Sequence, residues 1–251
     1  MSTFQIQEVT PENAANESLF CIKDSNYPGF KLKVEWLKER IKEGLKLKLL
    51  KIADETVGFI EYVPGKFAWR PVSAENYLFI HCMWVFPHKN LGKGYGSILL
   101  SECEKDAKAQ GLDGVATVSS EGSWLSNPAI FEKNGFLTVV KKDRFVLMAK
   151  TDFKVKMPAF LNWEENLKNY QGLNLVYANQ CPLFIKSVEE MRETAKLHGH
   201  ELKVTVMESS EDIRKAASGY GVYSLVYNGK LLADHYISNT RFKNILNKEL
   251  N

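Results

Sequence analysis

A glycine-rich turn at residues 83–97 constrains the fold of this 251-residue chain more than any other segment. The apolar residues 77–86 before it predict a strand, and residues 94–111 after its first glycine predict a helix. Glycines at positions 92, 94 and 96 remove side-chain bulk, so backbone N–H groups can face a bound anion. The helix start adds unpaired amides and a partial positive charge. This arrangement predicts a phosphate-binding site.

Two familiar phosphate-binding turns do not fit the spacing of these glycines. A Walker loop requires Gly-x-x-x-x-Gly-Lys-Ser/Thr, which no segment supplies. A dinucleotide turn requires Gly-x-Gly-x-x-Gly and an acidic residue about 20 positions later, after the next strand. Here the spacing is Gly-x-Gly-x-Gly, and the nearest acid, Asp113, precedes the next predicted strand. An ordinary glycine-rich loop of an α/β protein stays open as an alternative.

Val85-x-Pro87 followed by Gly94-x-Gly96 resembles the acyl-CoA turn of the GNAT superfamily of N-acetyltransferases. In that family a strand ending in Val-x-Pro leads to Arg/Gln-x-x-Gly-x-Gly/Ala and a long helix. Leu91 stands at the first basic or amide position, and the loop after Pro87 is one residue longer than usual. The resemblance implies that main-chain nitrogens around residues 92–97 bind the diphosphate of coenzyme A.

A second motif, Asn127-Pro128-Ala129-Ile130-Phe131-Glu132-Lys133-Asn134-Gly135-Phe136, follows at the spacing of this family. Asn127 predicts a helix N-cap, and Gly135 predicts the helix end. The motif resembles the GNAT segment Ala-x-x-Leu-Tyr-x-Lys-x-Gly-Phe, whose Tyr often protonates the departing CoA thiolate. Phe131 holds that position and cannot donate a proton. A thiol has a pKa of about 8.5, so the CoA thiolate is a tolerable leaving group, and acetyl transfer does not require this acid.

The resemblance implies a cofactor site built from the strand, the turn and the second motif. Its residues are Met83, Trp84, Val85, Leu91, Gly92, Lys93, Gly94, Tyr95, Gly96, Ser97, Asn127, Phe131 and Lys133. Backbone groups around residues 83–85 are expected to hold the pantetheine arm, and one N–H there to stabilise the oxyanion.

The acceptor amine must lose a proton, so the site needs a base or a water chain. Glu61 and His81, on neighbouring predicted strands, are the candidate catalytic residues, and Glu75 is a weaker one. The aromatic segment 67–71, Trp84 and Trp124 are candidate walls of the acceptor pocket, although packing explains them almost as well.

Strand and helix signals predict the order βααβββαβαββ over residues 1–150, including two helices at 11–21 and 34–44. This order resembles the GNAT fold, a mixed sheet with helices on both faces. A polar segment ending at Pro158 indicates a boundary. The predicted domains are therefore a GNAT acetyltransferase domain at 1–150, a linker at 151–172 and a second domain at 173–251.

The predicted element order of the second domain is βαβαββα, which is the order of the thioredoxin fold. Cys181-Pro182-Leu183-Phe184 stands where a thioredoxin carries Cys-x-x-Cys, and Gly221-Val222 replaces the usual cis-proline region. With Tyr227-Asn228-Gly229-Lys230, these segments resemble the YoaP-like acetyltransferases. The predicted fold class is α/β (α+β), a GNAT mixed-sheet domain followed by a thioredoxin-like domain.

Cys181 is a candidate reactive thiol, because a helix N-terminus lowers the pKa of a thiol. Four interpretations stay open: a mixed-disulfide site, a metal or metalloid contact, a thiol that binds the substrate, and a relic cysteine in a domain kept for packing or dimerisation. The other cysteines, at positions 21, 82 and 103, lie in apolar patterns and are expected in the core.

Composition excludes several classes of protein. The net charge is only +3 and the lysines are scattered, so no nucleic-acid partner is expected. No apolar run approaches membrane-spanning length, so no membrane partner is expected, and the N-terminus carries no secretory pattern. The widely spaced cysteines predict neither a metal site nor disulfides, hence a cytoplasmic protein. A homodimer is left open.

These observations predict an acetyl-CoA-dependent N-acetyltransferase that acts on a primary amine by direct attack. A small amine or an amino acid derivative is the favoured acceptor. The alternative is a non-catalytic acyl-CoA sensor or adaptor whose C-terminal domain binds a partner. A thiol-disulfide enzyme is a third, weaker alternative.

Overall fold

The computed structural model describes residues 4–17, 22, 24–53, 55–152 and 154–250. The chain divides into two compact units. Among the described residues, unit 1 holds 4–17, Leu37–Ala68 and Val72–Phe160. Unit 2 holds 22, 24–36, Trp69–Pro71 and 161–250.

Unit 1 contains both strands and helices. They are β1 (Phe4–Val9), α1 (Pro28–Lys42), β2 (Lys46–Ile52), β3 (Glu55–Pro64), β4 (Val72–Ser73), β5 (Tyr77–Val85), α2 (Tyr95–Ala109), β6 (Gly114–Ser119), α3 (Pro128–Lys133), β7 (Leu137–Lys142), β8 (Phe145–Thr151) and β9 (Ala159–Phe160). The first half of α1 belongs to unit 2.

The main sheet of unit 1 has the strand order β1-β2-β3-β5-β6-β8-β7. Strands β5 and β6 are parallel, and the other neighbours in this sheet are antiparallel. Strands β4 and β9 form a separate antiparallel pair. The prediction of a mixed α/β fold with a mixed sheet is confirmed.

The core of unit 1 lies between the sheet and helix α2. Helix α2 buries Leu99, Leu100, Cys103 and Ala107; Cys103 follows the two leucines by four and three residues and precedes Ala107 by four, so they lie on one stripe. They pack with apolar side chains of the central strands, including Ile60, Tyr62, Ile80 and Met83. Burial of this stripe fixes α2 against β3 and β5, and thereby fixes where its N-terminus lies.

A cluster of charged side chains also joins the sheet to α2. The Asp106 carboxylate lies 2.9 Å from the Lys46 ammonium and 3.1 Å from that of Lys48, and it accepts a hydrogen bond from the Tyr62 hydroxyl. Burial alone would raise the pKa of Asp106, but the hydrogen bonds from Tyr62, Lys46 and Lys48 outweigh it, so the pKa is lowered. Burial raises the pKa of Tyr62. Asp106 is therefore ionised at neutral pH, whereas Tyr62 is neutral and donates its hydroxyl proton to the carboxylate.

Two irregularities of β5 shape one end of the sheet. Its parallel pairing with β6 ends at Ile80 and Thr117, so the residues of β5 beyond Ile80 diverge from β6. Its pairing with β3 shifts between Glu61, which faces Cys82, and Tyr62, which faces Ile80. His81 is the extra residue of this bulge.

The N-terminal helices differ from the prediction. Residues 11–17 form turns rather than the predicted helix, with isolated backbone bonds from the Ala14 N–H to the Thr10 carbonyl and from the Glu17 N–H to the Asn13 carbonyl, both at 2.9 Å. Residues 18–21 of that predicted helix lie outside the described residues. The second helix begins at Pro28, six positions earlier than predicted, since proline is well suited to the first helical position.

Unit 2 contains its own sheet. Its elements are α4 (Trp163–Leu167), β10 (Leu173–Ala178), α5 (Phe184–Leu197), β11 (Leu202–Met207), α6 (Ser210–Arg214), β12 (Tyr223–Tyr227), β13 (Lys230–Ala233) and α7 (Asn239–Glu249). The strand order is β11-β10-β12-β13, with β10 and β11 parallel and the other pairs antiparallel.

A helix cap and a hairpin turn in unit 2 form where the sequence predicts them. Ser209 caps α6 in a capping box with Asp212, and Asn228-Gly229 form the turn between β12 and β13, both with positive φ. From β10 onward the element order is the predicted βαβαββα. The thioredoxin-like class and the domain boundaries at 150 and 172 stay predictions.

Candidate active site

The glycine turn leads directly into the N-terminus of α2. Gly92 and Gly94 have φ of 77° and 82°. A Cβ at either position would meet no atom within 4 Å, so glycine is needed there for the backbone conformation and not for space. The Ile98 N–H donates to the Gly94 carbonyl at 3.1 Å. The amides of residues 95–97 precede this bond in the first helical turn, and amides there have no intrahelical acceptor, so they point out of the helix end.

The loop before this turn is held by Asn90, which the sequence analysis missed. Its buried side-chain amide donates to the Phe86 carbonyl at 2.8 Å, and its own N–H donates to the Pro87 carbonyl at 2.8 Å. The Lys93 ammonium reaches the Asn90 side-chain oxygen at 3.5 Å, while Leu91 is exposed. Asn90 thus accommodates the longer loop, and Lys93 adds a charge beside the amides.

The second motif folds as predicted. The Asn127 side chain caps α3 by accepting from the Ala129 N–H at 2.9 Å, and Gly135 ends the helix with φ of 83°. Phe131 is 1% exposed and packs at 5.4 Å between ring centroids against Phe136. Phe131 therefore serves the core, and Lys133 is exposed.

The structure brings the two motifs side by side. A Cβ on Gly96 would lie 3.3 Å from the Ile130 side chain, so the start of α2 approaches α3 closely. The predicted cofactor residues on β5, in the turn and on α3 thus converge on one end of unit 1. Their contacts with coenzyme A stay a prediction.

A loop of residues 120–126, named here the Trp124 loop, closes beside the diverging end of β5. The Ser120 N–H donates to the Ser126 carbonyl at 3.3 Å, and the Ser126 hydroxyl donates to the Met83 carbonyl at 3.2 Å. Sequence reasoning missed Ser126, because nothing local signals a partner 43 positions away in the chain.

The two candidate bases meet on the sheet face opposite α2. Glu61 lies between Ile60 and Tyr62, which pack toward α2, so its side chain points the other way. Glu61 and His81 are 2% and 4% exposed, and His81 Nδ1 lies 3.5 Å from Glu61 Oε1. The bulge produces this contact, since it adds His81 opposite Glu61. The carboxylate faces Nδ1, which leaves Nε2 on the far edge of the ring. Glu75 is exposed and accepts from the Ser73 hydroxyl at 2.9 Å.

The cysteines differ in their surroundings. Cys103 is buried as expected, and burial raises the pKa of its thiol well above the ordinary value. Cys82 is exposed, so its prediction as a core residue is wrong: the bulge sets it opposite Glu61 on the face away from α2. Cys21 lies outside the described residues. Cys181 is half-buried and lies three positions before the first residue of α5.

In unit 2, buried polar groups adjoin Cys181. The Gln180 side chain accepts from the Arg70 guanidinium at 3.0 Å, and this guanidinium lies 4.9 Å from the centroid of the Tyr220 ring. This arrangement fixes the backbone beside Cys181. The reactivity of its thiol stays a prediction.

Comparison with known proteins defines the class of the site. Residues 16–136 match the model of the family described as "Acetyltransferase (GNAT) family". The matched span includes the bulge, the glycine turn and the second motif. Residues 16–136 are thus similar to GNAT acetyltransferases, and the prediction of an acyltransferase is confirmed at that level.

A curated relative extends the similarity to the rest of the chain. The Bacillus subtilis (strain 168) protein named "Uncharacterized N-acetyltransferase YoaP" is 29% identical over 248 residues, covering 96% of this chain and 97% of the relative. The similarity therefore includes the sequences of both units.

Two solved structures show weaker likeness. The PaiA N-acetyltransferase of Thermoplasma acidophilum, in complex with coenzyme A, is 19% identical with a TM-score of 0.43, covering 60% of this chain and 99% of that one. A GNAT acetyltransferase of Streptococcus pneumoniae is 15% identical with a TM-score of 0.44, covering 59% and 99%. With TM-scores this low, these two structures add nothing to the assignment.

Within the described residues, no helix has both the length and the apolar character needed to cross a membrane. The same part of the chain brings no three His, Cys, Asp or Glu side chains together as metal ligands.

Proposed function

We propose that this protein is an acetyl-CoA-dependent N-acetyltransferase that moves an acetyl group to a primary amine by direct attack. The observation that carries the proposal is the left-handed turn at Gly92 and Gly94, which aims the first amides of α2 out of the helix end. Amides at a helix N-terminus bind phosphate groups. The GNAT match over residues 16–136 supports coenzyme A as the source of those phosphates.

The residues around this helix end fit the parts of coenzyme A. Amides of residues 92–97 would bind the diphosphate, with the Lys93 ammonium beside them. Backbone groups of residues 83–85 lie beyond the paired part of β5 and β6, where they would hold the pantetheine arm. Acetyl-CoA supplies the activated acetyl group. An N–H of this same segment would stabilise the negative charge that develops on the carbonyl oxygen.

The buried pair of Glu61 and His81 supplies the proton acceptor. His81 Nε2 would take the proton of the amine, directly or through water, while the Glu61 carboxylate faces Nδ1 and holds the ring. Buried Phe131 leaves the departing thiolate without the usual proton donor, and this thiolate would take a proton from water. The favoured acceptor is a small amine or an amino acid derivative.

We also propose that unit 2 is a thioredoxin-like domain. Its order βαβαββα and its sheet, with β10 central and parallel to β11 alone, support this class. The second sheet begins at Leu173, the predicted start of the second domain. Cys181 before α5 would then be its single remaining active-site cysteine.

The experiment is release of coenzyme A from acetyl-CoA, followed with a panel of primary amines, beside calorimetry of acetyl-CoA binding. We expect binding and turnover of at least one amine above the rate of hydrolysis. His81→Gln should lower kcat while the Kd for acetyl-CoA is retained. Tight binding without turnover of any amine would favour the sensor instead, and absence of binding would overturn the proposal.

A further inference from the structure

We infer that Trp124, together with Trp84, selects the acetyl acceptor, and that this acceptor carries a flat aromatic group beside its amine. The inference rests on the proposed function and names the substrate class of that site.

The backbone of Trp124 is strained. Its φ is 73°, in the left-handed region that bulky residues avoid. The other non-glycine residues with positive φ among the described residues are Ala53, Asp143 and Asn228, and Asp and Asn are common in such turns. A tryptophan in this conformation persists only where the surroundings impose it, and such strain concentrates at functional sites.

Hydrogen bonds at several points impose the conformation of the Trp124 loop. The Arg144 guanidinium donates to the Ser120 hydroxyl at 3.2 Å and to the Ser123 carbonyl at 3.0 Å. The Gly122 N–H donates to the same hydroxyl at 3.0 Å. At the other end of the loop, the Ser126 hydroxyl donates a hydrogen bond to the Met83 carbonyl. These contacts lie on both sides of Trp124, so they hold its backbone in the left-handed conformation.

The loop is anchored beside the face that carries the candidate bases. Its anchor, Met83, immediately precedes Trp84, and Trp84 is directly opposite Phe59 in the sheet. Phe59 and Glu61 are two positions apart on β3 and share a face, so Trp84 lies on the face of Glu61. The sheet face that carries Glu61 thus also carries the aromatic side chains of Phe59 and Trp84.

Both indoles are open to solvent to a degree that is unusual for tryptophan. Trp84 is 51% exposed and Trp124 is 37% exposed. Aromatic side chains recognise flat aromatic groups by stacking or edge contacts. They also attract organic cations, so a diamine is the competing acceptor. Because Trp84 shares the sheet face of buried Glu61, and the Trp124 loop is anchored at the residue before Trp84, we assign the aromatic amine.

The test compares 2-phenylethylamine, its saturated analogue 2-cyclohexylethylamine, and putrescine as acceptors, with acetyl-CoA present. The variant is Trp124→Gly, because glycine accepts the left-handed φ while the indole is removed. The control is Leu197→Ala, which shortens an exposed apolar side chain of α5. Melting temperatures and the Kd for acetyl-CoA accompany the kinetics.

We expect the wild type to prefer 2-phenylethylamine, and Trp124→Gly to lower its kcat/KM for this amine about tenfold, as loss of one aromatic contact implies. The variant should change kcat/KM for 2-cyclohexylethylamine much less, keep the Kd for acetyl-CoA, and melt at a higher temperature. A residue that serves packing alone would lower the melting temperature on removal and affect all amines equally.

Each other outcome overturns the inference. A preference for putrescine, or equal losses for both ring amines, removes the aromatic acceptor while the proposed function stands. If no amine is turned over, the proposed function fails. Quenching of tryptophan fluorescence by 2-phenylethylamine then tests the indoles alone, and quenching that Trp124→Gly leaves unchanged refutes their role.

Discussion

Replacement of Gly94 by alanine tests the anion-binding turn most directly. The Cβ would meet no atom within 4 Å, so the substitution carries no steric cost. Its whole cost is conformational, because an L-residue at φ of 82° is disfavoured by about 1–2 kcal/mol. The free energy of unfolding should fall by that amount, and the melting temperature by about 2–8 °C.

The effect on cofactor binding should exceed the effect on stability. Relief of the strain rotates the peptide groups at the start of α2, so the amides that we propose to bind the diphosphate would turn away from it. One hydrogen bond to a charged group contributes about 1.5–3 kcal/mol. Loss of one such bond therefore weakens acetyl-CoA binding by about 10- to 150-fold. Calorimetry of acetyl-CoA binding and thermal unfolding measure the two effects separately.

The same helix supplies a matched control. Gly111, just beyond the end of α2, has φ of 67°, and its Cβ would likewise meet nothing within 4 Å. Gly111→Ala should cost the same stability and leave acetyl-CoA affinity unchanged. The reasoning is refuted if Gly94→Ala retains full affinity, or if both variants lose affinity equally.

Three further results are expected. Glu61→Gln should lower kcat at least tenfold with an unchanged Kd for acetyl-CoA, since the carboxylate orients His81; an unchanged kcat would contradict this. Asp106→Asn should destabilise the protein by about 2–3 kcal/mol at pH 7. The pKa of Asp106 is lowered in the folded state, so its contribution to the free energy of unfolding is present above the ordinary pKa of 3.8 and disappears as the pH falls through the folded pKa. Denaturant unfolding should therefore show that wild type and variant become equally stable at that low pH. N-ethylmaleimide should label exposed Cys82 and spare buried Cys103 in the native protein, as peptide mass spectrometry would report; labelling of Cys103 would contradict the packing of α2.

Local chemistry made much of unit 1 and unit 2 predictable. The strand into the glycine turn, helix α2, the Asn127 cap, the Ser209 capping box and the turn at Asn228 depend on residues close together in the chain. Capping, turn conformation and hydrophobic periodicity depend on a few neighbouring residues, so they can be predicted from the sequence alone.

By itself, then, the sequence determined most of the order of the elements, the glycine turn and the loss of the usual acid at Phe131. Only the tertiary structure decided that Glu61 and His81 touch, that Cys82 is exposed, and that Trp124 is held in a left-handed conformation beside β5. The physical reason is that a bulge and a strand register are set by pairing between distant segments. One inserted residue reverses which side chains share a face, and no local pattern records it.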